Sequence, residues 1–299
     1  MTSSTATGRD TLGARPAPHR WSWAWLGVMP FFLFILFFLV YPSSTLVIGS
    51  FQDNAGHFTF ANILGLSNPF ILGAYEISLR ISLYTAAGGA IFGFLLAYAA
   101  VRGGLPSFVR SSMMTFCGVA SNFAGIPLAF AFIASVGRVG VVTELLNSIG
   151  INLYDMGFSL YSILGLSVVY MYFQFPLMVL IITPAIDGLR REWREAAENL
   201  GGSFFDYWRR VALPILTPSI LGTAILLFGN AFGAYATAYA LTGGVISLVT
   251  LRIGDQLSGD VGGMSAGAGY AMALGMLVIM TVCITGYTVL QRQSERWLK

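Results

Sequence analysis

The chain has 299 residues, 56% hydrophobic and 10% charged, with a mean hydropathy of +0.74. A soluble domain carries about a quarter charged residues, so the composition excludes a water-soluble enzyme and indicates a polytopic membrane protein. The net charge of +3 does not point to nucleic acid, because the basic residues gather in particular loops, and Cys117 and Cys283 lie in apolar stretches that suggest neither a disulfide framework nor a metal site.

Residues 1–24 are rich in Ser, Thr, Ala and Pro, carry Arg9, Arg15 and Arg20, and read as a disordered basic tail. The apolar run 25–48 is too long for the core of a signal peptide and predicts an uncleaved first span, anchored by Trp21, Trp23 and Trp25. Five further stretches can cross about 30 Å of hydrocarbon, at 77–101, 112–135, 159–186, 215–241 and 267–290. The expectation is an all-α fold with six transmembrane helices over 25–290, followed by a short tail at 291–299. Between the third and fourth spans, Val139, Val142, Leu145, Leu146 and Ile149 form an apolar stripe opposite Glu144, Asn147 and Ser148, which predicts a short surface helix.

The one long charged segment is 187–214, DGLRREWREAAENLGGSFFDYWRRVALP. Leu189, Trp193, Ala196, Ala197 and Leu200 recur at the helical period, while Arg191, Arg194, Glu195 and Glu198 cover the other side, spaced so that Arg191 meets Glu195 and Arg194 meets Glu198. Gly201 and Gly202 stop this helix, and Ser203 with Asp206 is a capping signature for a second one. Pro214 and Pro218 mark the turn into the next span. Arginines crowd the N-terminal tail, the loop after the second span (Arg102, Arg110), this elbow and the C-terminal tail; by the positive-inside rule both termini and the elbow are cytoplasmic.

Glu195, Ala196, Ala197, Gly201, Val211, Leu213 and Pro214 fall on the spacing of the EAA loop of permease subunits of ATP-binding-cassette importers, which this segment resembles. Gly202 stands where the family often has alanine. The resemblance implies the type I importer permease (MetI-like) fold in a bacterial cytoplasmic (inner) membrane. It also implies a cytoplasmic ATPase dimer that binds the ATP and magnesium, a second permease subunit, and an extracytoplasmic solute-binding protein. In that picture Glu195 faces a basic group of the ATPase, Ala196 and Ala197 allow close approach, and Gly201 sets the bend that transmits movement. Glu195 has an alternative role as a solvated partner of Arg191.

No catalytic set, cofactor site or metal site is expected in this chain, and the sole lysine, Lys299, stands outside any P-loop. The polar residues within spans are Asn122, Gln174 and Asn230, which either line a solute pathway or bond helix to helix. Glycine pairs Gly89/Gly93 and Gly229/Gly233 allow close helix contact. The first loop and second span also resemble polyamine-type permeases, near those for ferric iron, phosphonates and sulfate. That resemblance implies a polyamine solute such as spermidine or putrescine. Acidic residues on the predicted outer loops (Asp53, Glu76, Glu144, Asp155, Asp255, Asp260) outnumber Arg138 and Arg252 there, which suits a cation. An ion-coupled carrier is the competing class, but it calls for intramembrane acids or inverted repeats that the sequence does not display.

Overall fold

The structure is a computed structural model that describes residues 24–53, 55–258 and 266–297. The predicted basic tail, Trp21, Trp23, Asp260 and Lys299 lie outside the described residues. All regular elements among those residues are helical: α1 Ala24–Ile35, α2 Tyr41–Ser50, α3 Ala61–Gly65, α4 Pro69–Arg102, α5 Ser107–Asn122, α6 Gly125–Val136, α7 Val141–Ser148, α8 Ile163–Asp187, α9 Arg191–Asn199, α10 Phe204–Tyr207, α11 Leu213–Phe232, α12 Ala236–Thr242, α13 Val249–Ser258 and α14 Ala266–Trp297. Wide π turns, Leu36–Val40 and Trp208–Ala212, join α1 to α2 and α10 to α11. Six stretches among the described residues are long and apolar enough to cross a bilayer. The chain divides into two compact units at Thr45/Leu46.

The described part of the first unit is α1 and the start of α2, and no Asp, Glu, Lys, Arg or His occurs from Gly27 to Thr45. Its π turn ends two residues before Pro42, and Tyr41 N–H reaches back five residues to the Leu36 carbonyl. A proline ring crowds the carbonyl four residues before it, and the wide turn relieves that crowding without breaking the helix.

In the second unit α4 is the central beam. Asn68 accepts a hydrogen bond from Phe70 N–H at 3.0 Å and Pro69 supplies a preset first turn, so the helix starts eight residues before the predicted 77. Glu76 and Arg80 pair with each other on its exposed side at 2.6 Å. Gly89 and Gly93 bring it against α8: a Cβ at Gly93 would lie 2.5 Å from Met178 Cβ and 2.6 Å from the Phe175 carbonyl oxygen. Gly229 similarly admits the Met280 side chain of α14, whereas Gly233 faces only its own helix.

Two predicted spans are broken. The stretch 112–135 is two helices, α5 and α6, interrupted at Phe123 and Ala124, and the membrane-length apolar run here is Gly125–Ser148. Pro127 sits in the first turn of α6, where its missing N–H costs nothing, and Gly125 takes a left-handed φ of +74°. Likewise 215–241 stops at Phe232 and resumes in α12; the apolar run begins earlier and covers Phe204–Phe232. Thr237 accepts from Gly125 N–H at 2.7 Å, tying the two breaks together, and the Tyr170 hydroxyl donates to the Ala234 carbonyl at 3.0 Å. The chain passes Pro214 and Pro218 without turning away, because α10, the π turn and α11 form one continuous rod. A helix, α7, occurs where the short surface helix is expected, at the end of the Gly125–Ser148 apolar run, with Thr143 buried and the apolar stripe largely outward.

Candidate functional site

The elbow begins where α8 ends. Arg102, the last residue of α4, donates from Nη2 to the carbonyls of Ile186 (3.1 Å) and Leu189, and Arg110 Nη2 meets the Asp187 carboxylate at 2.6 Å. Carbonyls at a helix C-terminus lack intrahelical partners and carry partial negative charge, which the Arg102 guanidinium meets, while Arg110 pairs with the Asp187 side chain beside it. Leu189 is consequently held in the core, 4% exposed.

Helix α9 follows with no buried residue. Arg191 Nε to Glu195 Oε1 is 3.1 Å and Arg194 Nε to Glu198 Oε1 is 2.8 Å, as the spacing predicts. The hydrogen bond from Arg194 to Glu198, with their mutual attraction, raises the Arg194 pKa further above its ordinary value. Gly201, with φ +77°, closes the helix: Gly202 N–H donates to Ala197 O and Gly201 N–H to Glu198 O, each at 2.9 Å. This pair of bonds is the Schellman closure, and it requires the left-handed residue that glycine supplies. Ser203 and Asp206 then exchange hydrogen bonds in a capping box that launches the next rod.

The two sides of α9 border different cavities. One, about 380 Å³, lies between α9, the end of α4 and the start of the α10 rod; Arg191, Arg194, Glu195 and Glu198 face it, with Tyr98 and Trp208 opposite. The other, about 740 Å³, is lined by Trp193, Ala196, Ala197, Leu200 and Gly201. The structure therefore gathers Ala196, Ala197 and Gly201 on one surface and sets Glu195 on the other. Leu200 is 89% exposed and Trp193 36%, whereas Leu189 is buried and Ala197 packs partly on the core, so the apolar face read from the sequence is displayed over its Trp193–Leu200 end rather than along its whole length. The arginine clamp of Arg102 and Arg110 was not legible as such: the sidedness rule picks out both residues, but no local spacing joins them to Ile186 and Asp187.

The intramembrane polar residues are scattered. Asn122 ends α5 and folds its amide back onto the Gly118 carbonyl at 2.9 Å. Gln174 is fully buried between helices, donating to Thr85 Oγ1 at 3.1 Å. Asn230 lines a cavity of about 360 Å³ at the two helix breaks, with Ser121 and Thr237. Among the described residues no cluster of His, Cys, Asp and Glu could hold a metal.

The family profile "Binding-protein-dependent transport system inner membrane component" matches residues 78–299, and the chain belongs to that family, as an inner-membrane permease of ATP-binding-cassette importers. The "Probable sulfate transport system permease protein cysT" of Nephroselmis olivacea is 26% identical over 226 residues, 75% of this chain and 74% of that one. The "Sulfate transport system permease protein CysT" of Salmonella typhimurium is 24% identical over 256 residues, covering 84% and 87%. A bacterial importer of the acidic polysaccharide alginate shares the fold, with a TM-score of 0.67 over 92% of this chain and 96% of that one at 18% identity. None of these names carries a polyamine, the solute expected from the first loop and second span.

Proposed function

We propose that this permease forms the membrane path for sulfate or a similarly small oxyanion and is driven by a separate ATPase dimer seated on the displayed face of α9. The observation that carries the coupling role is that face itself: Trp193, Ala196, Ala197 and Leu200, bounded by Gly201, open onto a cavity of about 740 Å³, with Leu200 89% exposed. Small side chains admit a partner's backbone, and the Schellman closure fixes the direction in which a push on α9 reaches the α10–α11 rod. Glu195, held by Arg191 on the opposite side of α9, exchanges this partner for a basic group of the ATPase on docking.

ATP and magnesium belong to the ATPase, a second permease subunit completes the path, and an extracytoplasmic binding protein delivers the solute. Both termini and the elbow lie on the cytoplasmic side. The names of the sulfate permeases support an oxyanion, and they outweigh the outer-loop acidity that favoured a cation. For the path, the placement of Asn230 at the cavity between the two helix breaks supports a lining role. Gln174 and Asn122 serve packing and local capping, since each side-chain amide N–H donates to a neighbouring protein group.

The test is binding-protein-stimulated ATPase activity of the reconstituted complex with sulfate, molybdate, thiamine and spermidine, for wild type and Gly201→Asp. Stimulation by sulfate that Gly201→Asp uncouples is expected. Transport that follows an ion gradient with no ATPase bound overturns the reading, and stimulation by spermidine alone restores the polyamine.

A further inference from the structure

The 380 Å³ cavity behind α9 has chemistry beyond the Arg191–Glu195 pair that the coupling role draws on. Four guanidinium groups face it, from Arg102, Arg190, Arg191 and Arg194, against two carboxylates, Glu195 and Glu198. Arg191 and Arg194 are matched to those carboxylates at 3.1 and 2.8 Å. Arg102 is turned instead onto two backbone carbonyls, and Arg190 onto the Trp193 ring at 5.9 Å, so the cavity keeps two positive charges without an acidic partner in it. At the same end, Arg190 precedes the first turn of α9 and provides no side-chain cap, leaving the N–H groups of that turn available as further donors.

Position selects among anions. Arg102 is the last residue of the 34-residue span α4, Tyr98 lies one turn inside it, and Trp208 stacks edge-on against Tyr98 at 5.0 Å. Aromatic rings mark the depth of the headgroups, and guanidinium forks match the paired oxygens of a phosphate. We propose that this cavity binds a tetrahedral oxyanion group, supplied by the phosphodiester headgroup of an anionic phospholipid. Such a lipid would sit between α4 and the elbow and brace the hinge by which α9 moves. The proposal rests on the family's membrane setting and on neither the choice of solute nor the docking of the ATPase.

The experiment is native mass spectrometry of the full chain released from micelles, titrated with phosphatidylglycerol, with phosphatidylcholine, and with inorganic phosphate as competitor. Phosphatidylglycerol should bind about tenfold more tightly than phosphatidylcholine, and Arg190→Gln/Arg191→Gln should abolish that preference, as loss of hydrogen bonds to a charged group implies. Glu198→Gln, which removes an opposing charge, should tighten phosphatidylglycerol binding several-fold, a gain that misfolding does not produce. Displacement of the lipid by phosphate assigns recognition to the phosphate group. Equal retention of the two lipids overturns the proposal, as does a preference untouched by the arginine substitutions. Binding of free phosphate without binding of phosphatidylglycerol keeps the oxyanion site but overturns the lipid as its occupant.

Discussion

Arg110 reaches across 77 residues of chain to Asp187, its Nη2 2.6 Å from the carboxylate at the last residue of α8. Beside it Arg102 holds the Ile186 and Leu189 carbonyls. The two contacts differ in kind. An ion pair in which both side chains are over a third exposed contributes about 0–1 kcal/mol, whereas carbonyls at a buried helix end lose about 1–3 kcal/mol when their donor is removed. Arg102→Gln should therefore lower the apparent melting temperature of the purified chain clearly more than Arg110→Gln does. Equal shifts would show that the carbonyl contacts are not the stronger half of the clamp.

Gly201 has open space where a Cβ would go, so its requirement is conformational. Gly201→Ala should cost about 1–2 kcal/mol through the left-handed backbone alone, and Gly201→Asn less, since asparagine tolerates that conformation. Binding-protein-stimulated ATPase activity should fall in the order wild type, Asn, Ala, Val. A flat series would remove Gly201 from the coupling path.

Gly93 is the opposite case, with ordinary backbone and no room. Gly93→Ala forces Met178 Cβ and the Phe175 carbonyl apart, neither of which is a flexible chain end. A loss of about 1–3 kcal/mol, typical of overpacking, should appear as reduced yield and thermal stability. Gly118→Ala, where nothing lies within 4 Å of the new carbon, should be silent in the same assay.

Gln174 and Asn230 should separate by readout. Gln174→Leu removes the bond to Thr85 inside the α4–α8 contact and should alter stability without changing which solute stimulates ATPase. Asn230→Leu changes a cavity wall and should alter solute preference or KM with little effect on melting. The reverse pattern would exchange the two roles.

On the loop after α2, Asp53 accepts hydrogen bonds from the backbone N–H of His57 at 2.8 Å and of Ala55 at 2.9 Å. The bond from His57 contributes most to holding the Asp53 pKa below its usual value. A carboxyl with a depressed folded pKa stabilises its loop above the ordinary carboxylate range and loses that contribution as pH falls through the folded value. Amide hydrogen exchange at Ala55 and His57, corrected for intrinsic rates, should show less protection at the acid end and a plateau at neutral pH. Protection independent of pH would mean the carboxylate does not order the loop.

Local chemistry made much of this molecule readable. The pairs Arg191/Glu195 and Arg194/Glu198, the glycine stop and the Ser203/Asp206 box each depend on neighbours within four residues, and all occur as the spacing dictates. Apolar length located six membrane-crossing stretches, but it could not see the interruptions at Phe123–Ala124 and Gly233–Tyr235. Those breaks are held by contacts between distant segments, Gly125 with Thr237 and Tyr170 with Ala234. The clamp on α8 was hidden for the same reason. The helical period grouped Leu189 with Trp193, Ala196 and Leu200, yet amphipathicity alone cannot tell that Leu189 is buried and Leu200 exposed.

The π turn at Trp208–Ala212 sets a mechanical phase. Along the rod the buried side chains are Tyr207 (7% exposed), Ala212 (0%) and Leu216 (1%), a stride of five residues and then of four. Helical bookkeeping carried from the elbow into α11 at the ordinary period thus names the wrong face, by one residue or about 100°. Deleting a single residue of that turn would leave an unbroken α-helix and an intact capping box. It would also aim α9 around the axis of the span at a different quarter of its surroundings, so the elbow's bearing is stored in one surplus residue.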